Sequence, residues 1–369
     1  MIYVFTTCAL NYFPNARILA QSVRKHMPQA RLVFCLTDAA PDGFDATQEG
    51  FDESWTLEDL RPQIPDLEKW IFQHTVMEMA TAAKPFVLHA LLEREDCDGV
   101  LFFDPDCEVH SPCTEILQSL SENSITLTPH ACLPHDNDSW VFFELNQLKV
   151  GSFNLGFFGV RNDEEGRQFA RWWRHRLRNY CLIDEPRHLF TDQKWIDLVP
   201  GYFDSVRVLR RPTYNVARWN TFQRKLTRGE DGGVLVDGEP LDFIHFSGFL
   251  KKGSYVRGLY DAQSAEWCAE IEVLDALSQD YANRLAADQA RPELSGPWGL
   301  GLYADGVEIP PQHRTAYRVS PDLQAAFPNP FDGGEALRAT MKSAPTEPVP
   351  VKKKKKKSAL SRLKRKLGL

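Results

Sequence analysis

Two acidic residues separated by one proline are the clearest chemical signal in this sequence. Asp104-Pro105-Asp106 directly follows the apolar run 99–103. In a regular strand the two carboxylates would face opposite sides, but Pro105 fixes the backbone and ends strand pairing, so both can turn toward one hard cation. Mg²⁺ or Mn²⁺ keeps few protein ligands and binds substrate phosphate oxygens at its other positions. The two aspartates therefore indicate a metal site that binds a diphosphate. The alternative is a loop with two solvated aspartates.

A second signal lies where an apolar run ends in His245 and is followed by Gly248, Lys251 and Lys252. A histidine at the end of a strand can complete a metal shell. Gly248 would let a ligand approach the backbone closely, and either lysine could neutralise a phosphate at the same ion. The alternative is a core histidine followed by a surface turn.

The elements that must position these residues alternate between strand-like and helical patterns. The predicted elements are strand 2–6, helix 15–26, strand 32–36, helix 82–94, strand 99–103, strand 153–160, helix 163–180, a helix begun by Thr191, strands near 206 and 243, and helix 262–287. This order predicts an α/β fold with a mixed, mostly parallel sheet flanked by helices. Ligands of open sheets bind beyond the carboxyl ends of the strands, which is where Asp104 and Asp106 stand.

The composition is that of a globular protein. The chain has 369 residues, of which 43% are hydrophobic and 11% aromatic, which excludes a disordered, collagen-like or disulfide-stapled chain. Its eight cysteines are scattered without a Cys-x-x-Cys pair, so we expect reduced thiols and no zinc site. We predict a catalytic domain over 1–290, an irregular proline-rich extension packed on the core over 291–341, and a flexible linker with a basic tail over 342–369.

The charge is unevenly distributed. Residues 352–369 hold ten of the 43 lysines and arginines, which leaves 33 basic against 50 acidic residues, a net charge of −17, in the rest of the chain. Because this net negative charge would repel nucleic acid, we expect no nucleic-acid partner. Leu360, Leu363 and Leu367 recur at helical spacing among the basic residues, which favours reversible binding to an anionic membrane surface. The alternative is a solubilising or nucleic-acid-adhesive tail.

No export or membrane-spanning segment is predicted. The chain begins without a basic, then apolar, leader, and no stretch approaches the ~18 apolar residues that a spanning helix requires. We therefore expect a cytoplasmic protein, peripheral on the inner face of the plasma membrane.

Taken in order, these motifs resemble a known family. The chain is similar to the retaining glycosyltransferases of the GT-A fold, nearest to the family 8 group with bacterial lipopolysaccharide galactosyltransferases and glycogenin. The resemblance covers roughly residues 1–260 and is carried by Phe5-Thr6-Thr7, Lys84-Pro85-Phe86, Asp104-Pro105-Asp106, Phe153-Asn154-Leu155-Gly156, Asp192-Gln193, Tyr214-Asn215 and His245-Phe246-Ser247-Gly248-Phe249-Leu250-Lys251.

The resemblance implies a role for each matching position. Asp104, Asp106 and His245 match the ligands of Mn²⁺ or Mg²⁺, and Lys251 matches a diphosphate-binding lysine beside Gly248. The matched nucleotide and sugar contacts are Thr6, Thr7, Asn11, Lys84, Asn154 and Gly156. Asp192 falls where the donor sugar is contacted, and Gln193 where the family places a residue near the anomeric carbon.

The chain departs from the family in one motif. Lys252-Gly253 stand where the family has Pro-Trp, so the shape of the closing loop is open. The extension, with Asp305-Gly306-Val307-Glu308-Ile309-Pro310, looks like those of bacterial cell-surface polysaccharide transferases. Two smaller features have alternatives: Trp172-Trp173 could form an acceptor platform or belong to the core, and His130 and His135 could line an acceptor pocket or lie in a solvated loop.

The function that we predict is metal-dependent transfer of a hexose from a nucleotide-diphospho-sugar to a cell-surface glycan or lipid-linked acceptor. The expected donor is a UDP-sugar, and the resemblance implies retention of configuration. Two alternatives stay open. A magnesium-dependent phosphatase of the haloacid dehalogenase type also places Asp-x-Asp after an apolar strand, although there the pair normally follows the first strand. A non-catalytic nucleotide-sugar-binding assembly protein would keep the fold and lose the turnover.

Overall fold

The computed structural model describes residues 1–134, 141–248, 271–288, 294 and 296–341. The chain divides into two compact units, Met1–Leu302 and a second that begins at Tyr303. Several sequence predictions fall outside the described residues: His135, Lys251 and Lys252, the first part of the helix expected over 262–287, and the linker and basic tail over 342–369. Within the described ranges no helix has the length and apolar character needed to cross a membrane.

A seven-stranded sheet forms the centre of the first unit. Its strand order is β10-β6-β7-β4-β1-β2-β3. The strands are β1 (Ile2–Cys8), β2 (Arg31–Leu36), β3 (Glu53–Thr56), β4 (Gly99–Phe103), β6 (Ile125–Pro129), β7 (Phe153–Arg161) and β10 (Val206–Val208). All pairs are parallel except those of β7, which runs antiparallel to both β4 and β6. The mixed, mostly parallel sheet predicted from the sequence is confirmed.

Among the described residues, eight α-helices belong to the first unit, and some of them cover the two faces of this sheet. They are α1 (Phe13–His26), α2 (Leu67–Phe72), α3 (Val76–Leu92), α4 (Thr114–Glu122), α5 (Val141–Val150), α6 (Glu164–Tyr180), α7 (Val199–Tyr202) and α8 (Ile271–Asp288). On one face, Phe103 and Phe157 belong to a buried cluster with residues of α1 and α4. On the other, Phe102 stacks on Phe158 at 5.1 Å, and Trp173 of α6 packs edge-on against Phe158. Covered on both faces, β2 and β4 are apolar along nearly their whole length, which is why the sequence predicted them well.

A second, three-stranded sheet lies beside the end of β4. It has the order β11-β15-β5, with β5 (Cys107–Val109), β11 (Val216–Ala217) and β15 (Phe243–His245). β15 is antiparallel to β5 and pairs His245 with Cys107. Smaller strands complete the unit: β8 (Ile183–Asp184), β9 (Leu189–Phe190), β12 (Leu226–Arg228), β13 (Val234–Val236) and β14 (Glu239–Pro240).

The second unit contains three short helices where the sequence predicted irregular chain. They are α9 (Pro311–Val319), α10 (Pro321–Ala326) and α11 (Gly334–Met341). Pro311 and Pro321 occupy the first helical positions, where the missing N–H costs nothing. The prolines therefore begin helices here rather than prevent them. Tyr317 and Leu337 are buried within this unit.

Several elements of the first unit differ from the predicted ones, and β3, α4 and β6 were not predicted. α3 begins at Val76, six residues before the predicted start, because Thr75 and Glu78 form a capping box. The helix expected to begin at Thr191 is a short 3₁₀ helix over Gln193–Leu198, and the Thr191 hydroxyl donates to Asp192 instead of capping it. The strand β3 lies in a polar stretch for which no strand was predicted.

Polar contacts explain why β3 forms at the edge of the sheet. Glu53 accepts from both Arg94 guanidinium nitrogens at 2.6 and 2.7 Å, and from Arg31 at 2.8 Å. The Arg94 hydrogen bonds lower the pKa of Glu53 to about 2. A polar edge strand held by ion pairs carries no apolar periodicity, so its sequence resembles a loop.

We expect Glu53→Gln to lower the melting temperature at pH 7 by a few degrees, because a partly buried carboxylate and its charge-assisted hydrogen bonds are lost. A carboxyl with a lowered folded-state pKa stabilises above its unfolded pKa of about 4.3. The difference from the wild type should therefore shrink as the pH falls from about 4 towards 2. Thermal unfolding followed by circular dichroism across this range measures it. A difference that stays constant down to pH 2 would contradict the assignment.

Candidate active site

A tight turn places both aspartates at the carboxyl end of β4. The Cys107 N–H donates to the Asp104 carbonyl at 2.9 Å, and Pro105 occupies the second position of this turn, as proline does in common β-turns. The Asp104 N–H donates to the carbonyl of Gly156 in β7, and the Phe246 N–H donates to the Asp106 carbonyl, each at 2.8 Å. The turn is thus fixed to both sheets, with β15 alongside.

The carboxylates of Asp104 and Asp106 and the imidazole of His245 meet at this point. One ligand atom from each lies within 4.8 Å of the other two. The His245 Nε2 is 3.0 Å from Asp106 Oδ1 and 3.7 Å from Asp104 Oδ2. His245 and Asp106 are buried, and the Asp104 side chain is 25% exposed, so the cluster opens to solvent on the Asp104 side.

Asn154 fixes the orientation of the imidazole. Its Oδ1 accepts from the Gly156 N–H at 3.0 Å and from Asn215 Nδ2 at 2.9 Å, which identifies this atom as the amide oxygen. The His245 Nδ1, 3.2 Å away, must therefore donate its proton to it. Nε2 then turns toward the carboxylates with a lone pair, which is the arrangement of a metal-ligating histidine.

These residues fit a divalent cation. A lone pair on Nε2 at 3.0 Å from a carboxylate oxygen requires a positive charge or a proton between them. Two ligands at right angles, each ~2.1 Å from an octahedral ion, lie ~3.0 Å apart. Burial lowers the pKa of His245, but Asp106 and Asp104 outweigh burial and raise it, so the site attracts positive charge. Oxygen-rich ligand sets with one imidazole suit Mg²⁺ or Mn²⁺.

Lys84 connects Asp104 to Asp192. Its ammonium group, on α3 and 2% exposed, lies 3.1 Å from Asp104 Oδ1, 3.0 Å from Asp192 Oδ2 and 3.0 Å from the Leu155 carbonyl. Burial lowers the pKa of Lys84, but the two carboxylates outweigh it and raise the pKa. Lys84 pairs with Asp104 Oδ1, whereas Asp104 Oδ2 is directed toward His245. The resemblance implied a donor contact for Lys84, and the structure places it beneath the carboxylates.

The charges of this cluster do not balance within the described chain. Counted as carboxylates, Asp104, Asp106 and Asp192 give three negative charges, against one positive charge on Lys84. His245 adds no charge in the neutral form that binds a metal, so this count leaves two negative charges in excess. One divalent cation would neutralise them, which again agrees with a metal at this position.

Asp192 and Gln193 point in different directions. Asp192 is buried, and the preceding Thr191 has a φ of +46°, a left-handed conformation that is strained for a β-branched residue. This conformation directs the Asp192 carboxylate toward Lys84. The Gln193 side chain instead donates to the Val150 carbonyl at the end of α5, at 2.9 Å. No hydrogen bond among the described residues joins Gln193 to the aspartate cluster.

The residues predicted to hold the nucleotide stand at the end of β1 and just after it. β1 pairs with β4 as far as Phe5 opposite Phe102, so Thr6 and Thr7 lie beside the end of β4. The buried Thr6 hydroxyl has no hydrogen-bond partner among the described residues, while Thr7 Oγ1 donates to the Ala80 carbonyl at 2.8 Å. Asn11 is exposed in the turn before α1.

Gly248 ends the described part of the loop after β15. Its φ of +74° is a left-handed conformation that glycine adopts without strain. A Cβ at this position would lie 2.8 Å from Arg218 Nη1, so the glycine also leaves room for that guanidinium. Sequence analysis gave no role to Arg218, because no motif spacing marks it.

Three further residues surround His245 without having been predicted there. The Trp219 ring stands perpendicular to His245 at 5.2 Å. Asn215, with a φ of +50°, donates to Asn154. His130 is buried against Asn154 Nδ2 at 3.2 Å, and desolvation lowers its pKa to about 4, so the solvated loop expected for His130 is wrong. Trp173 is fully buried, which confirms the core alternative for that residue.

Comparisons with known proteins give distant relatives. No known family profile matches the chain. It is 30% identical over 188 residues to the uncharacterised protein YfnD of Bacillus subtilis, and 26% identical over 174 residues to YfnF of the same organism. These alignments take in 50% and 47% of this chain, and 58% and 57% of the relatives. The chain thus spans little more than half the length of the curated relatives it matches.

Solved glycosyltransferases are among the similar structures. The galactosyltransferase LgtC, in complex with donor and acceptor sugar analogues, is 16% identical with a TM-score of 0.42, over 74% of this chain and 96% of that one. Mouse xyloside xylosyltransferase 1 is 13% identical with a TM-score of 0.39, over 68% and 99%. GlyE of Streptococcus pneumoniae is 14% identical with a TM-score of 0.39, over 75% and 63%. At such low scores, the function proposed below rests on this chain's own residues.

Asn154→Ala is expected to raise the Kd for Mn²⁺ by about 10–100-fold, because His245 loses the group that fixes its tautomer and ring orientation. Isothermal titration calorimetry measures the affinity directly. Asn162→Ala is the matched control: Asn162 follows the other end of β7 and donates one hydrogen bond to the Cys97 carbonyl. Equal Mn²⁺ affinities of the two variants would show that Asn154 does not orient the ligand.

Proposed function

We propose that this chain is a divalent-metal-dependent glycosyltransferase of the GT-A type, which moves a hexose from a nucleoside-diphosphate sugar to a glycan or lipid-linked acceptor. The observation that carries this proposal is the meeting of Asp104, Asp106 and an oriented His245 at the carboxyl ends of the strands. Three protein ligands leave coordination positions for two phosphate oxygens, and this edge of an open sheet is where its ligands bind.

The charged residues of the site would stabilise the charges that develop during the reaction. Breaking a sugar–phosphate bond places negative charge on the nucleoside diphosphate while the sugar becomes cationic. A bound divalent ion would stabilise the leaving diphosphate. Lys251 is proposed as a second positive charge on it. Lys84 forms ion pairs with both Asp104 and Asp192 at the bottom of the site.

We assign the donor sugar to the side of the cluster on which Asp192 lies. Asp192 would accept hydrogen bonds from sugar hydroxyls and orient the ring. Thr6, whose buried hydroxyl lacks a partner among the described residues, and the neighbouring Thr7 and Asn11 would contact the nucleoside. The donor is proposed to be a UDP-hexose, with Mn²⁺ or Mg²⁺ as the ion.

We propose retention of configuration by attack of the acceptor on the face that the diphosphate leaves, with the departing phosphate as base. The Gln193 amide is a poor nucleophile and is bonded to the Val150 carbonyl, and Asp192 is paired with Lys84. NMR of the anomeric proton in the product tests the stereochemistry. A product with inverted anomeric configuration would rule out attack of the acceptor on the face that the diphosphate leaves.

The location that we propose is the inner face of the plasma membrane, where the basic segment 352–369 would bind anionic lipid and bring the site to lipid-linked acceptors. Sedimentation with vesicles containing phosphatidylserine, compared with phosphatidylcholine vesicles, tests this part. The full chain should sediment only with the anionic vesicles, and less at high salt.

A thermal-shift screen of nucleotides and nucleotide sugars, with and without Mn²⁺, tests the function most directly. A ligand that binds only the native state raises the melting temperature. We expect UDP and one UDP-hexose to do so in the presence of Mn²⁺ only, and that donor to be hydrolysed slowly without acceptor. Phosphate release from monoesters would instead favour a phosphatase, and binding without turnover a non-catalytic assembly protein.

A further inference from the structure

Cys132 differs from the other cysteines that the structure describes. Of these seven residues, six are buried and only Cys132 is half-buried. Burial raises the pKa of the thiols of Cys8 and Cys35, and raises that of Cys97 to about 12. Buried, protonated thiols of this kind are inert toward electrophiles. Cys132 is therefore the accessible thiol of the described chain.

A buried arginine stands beside this thiol. Arg224 is 5% exposed, and its Nη2 lies 3.7 Å from Cys132 Sγ. Its Nη1 is buried with no hydrogen-bond partner, and no ion pair joins Arg224 to a carboxylate of the described residues. Burial without such a partner lowers the pKa of Arg224. A buried cation without an anion is unfavourable, so this guanidinium favours a negative charge on its neighbour.

Gln223 connects the segment that contains Cys132 to Arg224. Its Oε1 accepts from the Cys132 N–H at 2.9 Å and from the Leu133 N–H at 3.4 Å, while its Nε2 donates to the Leu133 carbonyl. The thiol-bearing segment is therefore tied to the residue that precedes Arg224. A thiol next to a fixed cation is the environment in which the thiolate form is stabilised.

We propose that Cys132 and Arg224 form a reactive thiol site, at which a small electrophile such as a hydroperoxide modifies the chain. The thiolate sulfur attacks one peroxide oxygen, so an S–O bond forms as the O–O bond breaks. The sulfur is oxidised to sulfenic acid, and the hydroxide that leaves takes a proton from solvent to become water. A second thiol reduces the product. This site is independent of the sugar-transfer function proposed above.

Alkylation kinetics of the full chain test this site. The native protein is reacted with iodoacetamide at pH 7, and labelling of each cysteine is followed by peptide mass spectrometry. We expect Cys132 to react about 10-fold faster in the native protein than in the urea-unfolded chain, since a guanidinium 3.7 Å from the sulfur makes the thiol more reactive. Cys97 should react more slowly in the native protein than when unfolded. With hydrogen peroxide, dimedone should trap sulfenic acid at Cys132 first.

Two variants separate charge from exposure. Arg224→Met should reduce the native rate at Cys132 to that of the unfolded chain or below, while Arg224→Lys keeps the cation and should retain most of the acceleration. The comparison of native and unfolded wild type needs no variant, so it decides the matter even if Arg224→Met does not fold. A native Cys132 no faster than its unfolded counterpart would overturn the proposal, as would a folded Arg224→Met with the wild-type rate.

Discussion

Asp106→Asn is expected to reduce sugar transfer by about 10²–10³-fold and to weaken Mn²⁺ binding to a similar degree. Asp106 supplies the carboxylate nearest to His245 Nε2, at 3.0 Å, and the substitution replaces a charged ligand by a neutral amide of the same shape. Because size is preserved and the backbone contacts of the turn remain, we expect the melting temperature without metal to change little. Calorimetry with Mn²⁺ and donor hydrolysis measure the two effects separately.

Asp98→Asn is the matched control for this experiment. Asp98 precedes the opposite end of β4, and its side chain is 81% exposed in an ion pair with the N-terminal amine. Exposed pairs contribute little, so this variant should bind Mn²⁺ and transfer sugar like the wild type. If Asp106→Asn kept wild-type Mn²⁺ affinity while Asp98→Asn did too, the cluster would not be a metal site. If metal binding were lost with transfer intact, the metal would have no part in the reaction.

Gly156→Ala is expected to displace His245 and to raise the Kd for Mn²⁺ by at least about 10-fold. A Cβ at this position would lie 2.4 Å from the Cε1 and Nδ1 atoms of His245 and 2.7 Å from Asn154 Oδ1. The backbone of Gly156 cannot retreat easily, because its carbonyl accepts from Asp104 and its N–H donates to Asn154. The imidazole must move, at a cost of about 1–3 kcal/mol in the free energy of unfolding.

Gly201→Ala controls for the substitution itself. A Cβ on Gly201, in α7, would meet no atom within 4 Å, so alanine should be neutral or slightly stabilising there. Both variants are compared by Mn²⁺ calorimetry and thermal unfolding. Wild-type metal affinity in a folded Gly156→Ala protein would mean that His245 can bind from another position, and would weaken its assignment as a ligand.

The sequence predicted the parts of the fold that bury apolar residues continuously. β4 was predicted at its observed bounds, and α1, β2 and α6 to within two residues, because each presents a long apolar run or a clear helical face. β3 was missed because its stability comes from Arg31 and Arg94, which are distant in sequence. The second unit was expected to be irregular because prolines interrupt its pattern, whereas several of them begin helices.

At the site, residue types were easier to predict than orientations. The turn at Pro105 that aims Asp104 and Asp106 to one side follows from local backbone chemistry, so it was visible in the sequence. The contacts of Asn154 and Lys84 depend on which strand and helix pass nearby. These two side chains face His245 and the aspartates from within the protein, and no local spacing encodes that. Loops position three further residues near the site: His130, Arg218 and Trp219. The sequence patterns do not predict the paths of these loops.

The pairing of β5 with β15 has a consequence for how the protein matures. It joins the residues just after Asp106 to a strand from much later in the chain. Among the described strands, β5 pairs only with β15. Such non-local pairing requires the closure of a long loop and slows folding. During synthesis, Asp104 and Asp106 emerge about 140 residues before His245, so the proposed cation would gain its third ligand only after β15 has been made.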